Sequence, residues 1–231
     1  MHELKPVLIV ALLVVVGIAA VYGAVQATLQ ARRRLEGLVA LSRRLNLGFS
    51  AGENYAIADR FNFLKQLAQG DNRFAANVLS GNYRQNDILA FDYHYQTEST
   101  DSKGHRTTTH HWFSFFILTL PAFFPELTIR RENFFTKVAE VFGYGDINFE
   151  SAEFSKTFNV RSPDKKFAYD VCNAQMIEYL LANRDLSLEI ENSVLALAFT
   201  NRLEPEQIEA NLQRLVEIRS RLPLYLFTLD K

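Results

Sequence analysis

Four of the five histidines, His94, His105, His110 and His111, crowd into one short stretch with Asp92. Imidazole and carboxylate are the side chains that bind transition metals and move protons, so this stretch holds the chain's best candidates for chemistry. Phe91, Tyr93 and Tyr95 alternate with Asp92, His94 and Gln96, which predicts a strand with one buried and one wet face. A turn about Lys103 and Gly104 sets His111 opposite Gln96 and His94 opposite Phe113. His94, His111 and Asp92 then share a face, with the carboxylate about 6–7 Å further along the strand. A metal centre needs three or four ligands at roughly 2 Å, and this set falls short of that. No H-E-x-x-H or paired Cys/His pattern supplements it. The expectation is therefore solvent-facing histidines and no metal or other cofactor, with a metal-dependent hydrolase as the alternative.

Other reaction signatures are missing. The sequence has no G-x-S-x-G elbow and no G-x-x-x-x-G-K-[ST] phosphate loop. Gly143-Tyr144-Gly145-Asp146 lacks the third glycine of a dinucleotide loop and reads as a helix-ending turn. Cys172 is the single cysteine and reads as a small buried hydrophobe. The chain reads as non-enzymatic.

The elements that must position these residues follow from periodicity. Val78–Arg84, Ile88–Glu98, Thr107–Leu120 and Leu127–Arg130 are β-rich runs separated by turn residues, which predicts an antiparallel meander. Ala58–Gln69 reads as a helix stopped by Gly70, and Glu132–Phe142 as another. Ile147–Glu150 and Phe158–Val160 are short strand candidates, and Ser162 is set to cap a helix that begins at Pro163. Leu186–Glu191 and Ser193–Thr200 read as two strands turning at Asn192. Pro205–Arg221 reads as the last helix, with Leu203 stapled onto Ile208. Strands grouped together with helices around them make an α+β domain. The dense aromatic runs, such as Trp112–Phe116, predict a sheet covered on both faces by the domain's own helices.

Ahead of this domain, Pro6 to Val25 runs without a charged side chain, and a helix of that length spans roughly 30 Å, the thickness of a bilayer core. It is too long for the apolar region of a secretory leader, although an exported domain released by cleavage is the rival reading. The organisation expected is a transmembrane anchor and juxtamembrane helix over 1–46 and an α+β domain over 47–231, such that deleting 1–46 leaves a folded, soluble domain. Arg32, Arg33, Arg34, Arg43 and Arg44 follow the span against a single Glu36, which predicts a single-pass protein of the inner membrane with its C-terminal domain cytoplasmic. The same arginines are candidates for lipid-headgroup contact. Ala19, Gly23 and Ala27 form a small-xxx-small stripe, a candidate for helix–helix packing and homodimerisation. Residues 1–46 hold six Lys/Arg against two Asp/Glu, and the remainder 19 against 24, so the domain is mildly acidic. That balance argues against nucleic-acid binding and leaves the bilayer and another protein as partners.

Gly81-Asn82-Tyr83-Arg84, Phe91-Asp92-Tyr93-His94-Tyr95 and Phe158-Asn159-Val160-Arg161-Ser162-Pro163-Asp164 carry a resemblance. The chain resembles uncharacterised bacterial membrane-anchored proteins with one or two amino-terminal spans, a G-x-Y-R pattern, an aromatic-alternating hairpin and an F-x-V-x-S-x-D-x-x-A pattern ending here at Phe167-Ala168. The likeness covers roughly residues 78–200 and implies a bacterial inner-membrane protein, without catalytic residues.

Overall fold

The computed structural model describes residues 4–131 and 145–228. The helix expected over Glu132–Phe142, together with Gly143 and Tyr144 of the following turn, lies outside the described residues.

The chain begins as one uninterrupted helix, α1 (Leu4–Leu45). It carries the apolar run straight into the folded part, and it is long and apolar enough to cross a membrane. Asn46 ends it in the left-handed conformation (φ 55°), where an Asn pays little steric penalty. The Leu47 amide bonds to the Ser42 carbonyl at 2.8 Å and the Asn46 amide to Arg43 at 3.2 Å, a Schellman-type stop.

Among the described residues, six strands then form one antiparallel sheet. They are β1 (Gly48–Ser50), β2 (Asp71–Tyr83), β3 (Asn86–Thr100), β4 (Arg106–Arg131), β5 (Phe158–Arg161) and β6 (Leu188–Ala198). The order is β1-β2-β3-β4, with β6 along the far side of β4 and β5 joining the end of β4 past the start of β3. The α+β class and the meander expected from the sequence are therefore present, with different joints. β4 is a single strand that runs through Pro121 and Pro125, where register shifts break its pairing with β6 and accommodate the missing donors. β6 is likewise continuous: Asn192 takes φ 52° inside the strand and does not turn the chain back.

Short helices are placed by polar caps. Asn54, Ser151, Asp164 and Asn173 cap α2 (Tyr55–Arg60), α3 (Ala152–Thr157), α4 (Lys165–Val171) and α5 (Ala174–Ala182). The expected cap Ser162 instead donates to the Glu126 carbonyl at 2.6 Å, and Asp164 takes the capping role. The expected second helix is reduced to α2, followed by turns to Gly70. Gly70 has φ 62°, and a Cβ there would strike the Gln96 carbonyl oxygen, so glycine is required. The last helix, α6 (Pro205–Arg221), matches expectation, with Leu203 and Ile208 both buried at its start.

Both sheet faces are covered from within the chain, as the aromatic runs require. One core gathers Leu38 and Leu41 of α1, Phe116, Leu127, Ile129, Phe154, Phe167, Leu212 and Leu215. The other packs Ile57, Phe61, Leu64 and Leu67 onto Phe91, Tyr93, Phe113 and Phe115. Leu38 and Leu41 are 1% and 4% exposed, so the packed unit begins upstream of residue 47.

Candidate functional site at the anchor–domain junction

Arg34 sits nine residues beyond Val25, about 14 Å further along the helix axis. Its guanidinium turns into the domain. Nη1 donates to Asp92 Oδ2 at 2.6 Å and Nη2 to Oδ1 at 2.8 Å, a two-pronged ion pair. Two further bonds go to the Leu203 carbonyl, reached by Nε at 3.1 Å and Nη2 at 2.7 Å. Asp92 is 2% exposed and the Arg34 side chain 12%. Such a charge is tolerable in a core only when its bonding is completed, and here it is. Asn77 Nδ2 donates to Asp92 Oδ2 at 2.9 Å, and Ser114 Oγ donates to Oδ1 at 3.1 Å. The Leu203 amide in turn donates to Ser114 Oγ at 2.9 Å.

Local irregularity makes this possible. Asn77 has φ 52° and sits where the β2–β3 register shifts, between Ala76↔Asp92 and Leu79↔Ala90. The bulge re-aims its side chain onto the carboxylate. Next to the ion pair, Gly37 meets Pro205 of α6: a Cβ at Gly37 would lie 2.8 Å from Pro205 Cγ. Glycine thus lets α6 approach α1. Arg34 lies against Asn77, and Leu47 against Gly81, so β2 runs with α1 and β3 runs back toward the apolar span. The β3–β4 hairpin therefore points toward the apolar end of α1.

The histidines do not assemble as expected. Five residues, Asp101–His105, separate the Thr100↔Arg106 pair, with Asp101 Oδ1 accepting from the Lys103 and His105 amides. An odd number of tip residues shifts the register by one, which sends alternate side chains to the other face. His110 faces Gln96 and His111 faces Tyr95. His94 pairs with His110, Nε2 to Nδ1 at 3.0 Å, while His111 stacks on Tyr95 with centroids 4.4 Å apart. His94 Nδ1 lies 3.1 Å from the Asn72 carbonyl and must carry the proton, leaving Nε2 as the acceptor. The face expected to be wet is buried here: His94 is 2% exposed, stacked against Phe74 at 4.5 Å and Trp112 at 4.6 Å. Loss of solvation is the main cause that holds its pKa below the ordinary histidine value. Asp92 is committed to Arg34, and among the described residues no three His, Cys, Asp or Glu side chains are grouped to hold a metal. His94, His111 and Asp92 therefore do not come together as one ligand set.

The other sequence candidates fall in different places. Arg44 pairs with Glu209 of α6 at 2.7 Å, whereas Arg32, Arg33 and Arg43 stand at the surface. Ala19, Gly23 and Ala27 are exposed on α1, and nothing lies within 4 Å of a Cβ built at Gly23. Cys172 is buried, which pushes its thiol pKa well above the usual range and leaves it protonated.

A second buried ionic group lies at the opposite end of the sheet. Glu189 accepts from the Lys65 amide at 2.9 Å and lies 3.5 Å from Arg130, and Lys65 Nζ reaches Glu126 at 2.8 Å. Glu191 shares this neighbourhood; burial first, then Glu126 and Glu189, push its pKa up to about 7. Sequence reasoning missed this group and missed Asn77, Ser114 and Leu203. Those three carry no motif, and their partners are between 15 and 169 positions away.

No protein-family model matches this sequence, and no curated protein matches it. Among solved structures, the fold is similar to the crystal structure of the mycobacterial trehalose monomycolate transport factor A, TtfA, with a TM-score of 0.56 over 83% of this chain and 97% of that one. The two share 12% of their residues, so what the likeness shows is a common α+β fold.

Proposed function

We propose that the chain is a single-pass inner-membrane protein whose α+β domain, on the cytoplasmic side, is a non-enzymatic module that presents a fixed surface to a protein partner at the bilayer. The observation that carries this reading is the Arg34–Asp92 lock. A tether that merely retained a domain would need no buried ion pair and no core residues of its own. Here Leu38 and Leu41 belong to the domain's core, so the domain's orientation follows that of the helix. The arginines after the apolar run support the cytoplasmic side. The resemblance to uncharacterised membrane-anchored bacterial proteins fits the same reading. So does the fold shared with a protein described as a trehalose monomycolate transport factor.

The test is membrane fractionation of the full chain with a reporter after Lys231, followed by partner capture from native membranes. The expected result is resistance to alkaline extraction, reporter activity on the cytoplasmic side, and a partner set that Asp92→Ala diminishes. Release into the soluble fraction, or activity on the outer side alone, refutes it.

A further inference from the structure

A crevice of about 860 Å³ opens where α1 leaves the apolar run and before the domain closes on it. One wall is α1, from Ala27 through Arg33 to Gly37, and the other is the loop into α6, with Arg202, Glu204 and Glu206. Ala27 and Ala31 lie roughly 3 and 9 Å along the helix past Val25. Headgroups occupy about that depth outside the hydrocarbon core.

Four charged side chains of this crevice have no ion-pair partner among the described residues, although the Glu204 carboxylate also caps α6 by accepting from the Gln207 amide. Arg34 is consumed by Asp92, but Arg33 and Arg202 are exposed and form no ion pair with a carboxylate among the described residues. Arg202 is held in place by its guanidinium over the Trp112 ring, 5.2 Å from the centroid. Opposite charge is present in equal number, since Glu204 and Glu206 are exposed and likewise lack a Lys or Arg partner among the described residues. A purely anionic ligand would meet two carboxylates there, and a purely cationic one two guanidiniums. A zwitterion satisfies both pairs. The small side chains of Ala27 and Ala31 leave room along α1 for the glycerol and the first acyl carbons.

From this geometry we infer that the crevice binds one zwitterionic phospholipid with a primary-amine headgroup, its phosphate at Arg33 and Arg202 and its ammonium at Glu204 and Glu206. The inference rests on the reading of α1 as a membrane anchor. It differs from general attraction of basic residues to a negative surface, because it needs Arg202, which is 169 positions from Arg33 in sequence. Bound there, the lipid bridges α1 and α6 above the Arg34–Asp92 pair.

The test uses the full chain in nanodiscs of equal parts phosphatidylethanolamine and phosphatidylglycerol, extracted gently and weighed with its retained lipid by native mass spectrometry. The wild type should retain one phosphatidylethanolamine. The double variant Arg33→Gln/Arg202→Gln should retain about tenfold less, the loss expected when charge-assisted bonds to phosphate are removed. Arg32→Gln/Arg43→Gln removes as much charge outside the crevice and should retain lipid as the wild type does. Glu206→Gln should move the preference toward phosphatidylglycerol. A photo-crosslinker at Ala31 should label lipid. Equal loss in the two double variants, equal retention of phosphatidylglycerol by the wild type, or crosslinking of Ala31 to a second copy or another protein each overturns the inference. A chain that anchors and captures its partner yet shows no lipid difference sinks only this inference, whereas a chain that does not anchor sinks the proposed function first.

Discussion

The two ends of the sheet bury charge in opposite ways. Toward the apolar run of α1, Asp92 meets Arg34, Asn77 and Ser114, and both carboxylate oxygens are bonded. At the far end, three carboxylates (Glu126, Glu189 and Glu191) gather around Lys65 and Arg130, and Glu191 Oε2 is buried without a hydrogen-bond partner among the described residues. The first arrangement is balanced and fixes geometry. The second holds excess acid, so burial raises the pKa of Glu189 and Glu191 and makes that end responsive to pH. Buried ionic groups are thus a lock where the bonding is complete and a titrating site where it is not.

The comparison breaks hardest at the lock. A chain starting at residue 47 loses Leu38, Leu41 and Arg34, leaving Asp92 buried without its cation; it is expected to remain unfolded, whereas a chain starting at residue 27 folds cooperatively by circular dichroism. Asp92→Ala in the full chain should cost about 3–5 kcal/mol in denaturant unfolding, because it strands the Arg34 guanidinium. The double substitution Arg34→Met/Asp92→Leu should recover most of that loss. If the single and double variants prove equally unstable, packing and not charge pairing holds the junction.

Gly37→Leu tests the same junction by volume. Forcing a side chain against Pro205 should cost roughly 1–3 kcal/mol and loosen α6 from α1, measurable as faster amide exchange at the start of α6.

The far end should be distinguished by pH. Glu191 has a folded-state pKa of about 7, above its ordinary value, so the folded state holds its proton where the unfolded state has lost it. Stability on this account is full below about pH 4.5 and declines as pH rises toward 7. Glu191→Gln should flatten that decline in thermal unfolding followed between pH 5 and 8. His94 works with the opposite sign: its pKa is lowered, so the folded state resists a proton that the unfolded state accepts below about 6.5. His94→Gln should reduce the loss of stability on acidification below that value. The smallest effect is expected at Arg44 and Glu209, a surface pair, where Arg44→Ala should leave the unfolding midpoint unchanged.

Much of this molecule is legible along the chain. The uncharged run to Val25, the length of α6 with its proline start, and the β-rich middle are local patterns, and local patterns fix element type. The hairpin shows where that ends. Lys103 and Gly104 do lie in its turn, but Asp101 accepts two amide bonds and makes the tip five residues long. That one-residue difference put His110, not His111, beside His94. Asn192 shows the same limit: the residue that marks a turn in sequence supplies a left-handed step inside a continuous strand.

What the sequence determined by itself is the long apolar helix, the α+β class and the surplus of positive charge just after the apolar run, since each depends on composition and period within a short window. Tertiary structure alone decided which of the three adjacent arginines is a ligand of the fold and which two remain exposed. Arg32, Arg33 and Arg34 are identical in type and adjacent in the chain, and successive residues on a helix point about 100° apart. Only the packed position of β3, with Asp92 waiting 58 residues downstream, selects Arg34 as the one whose desolvation is offset.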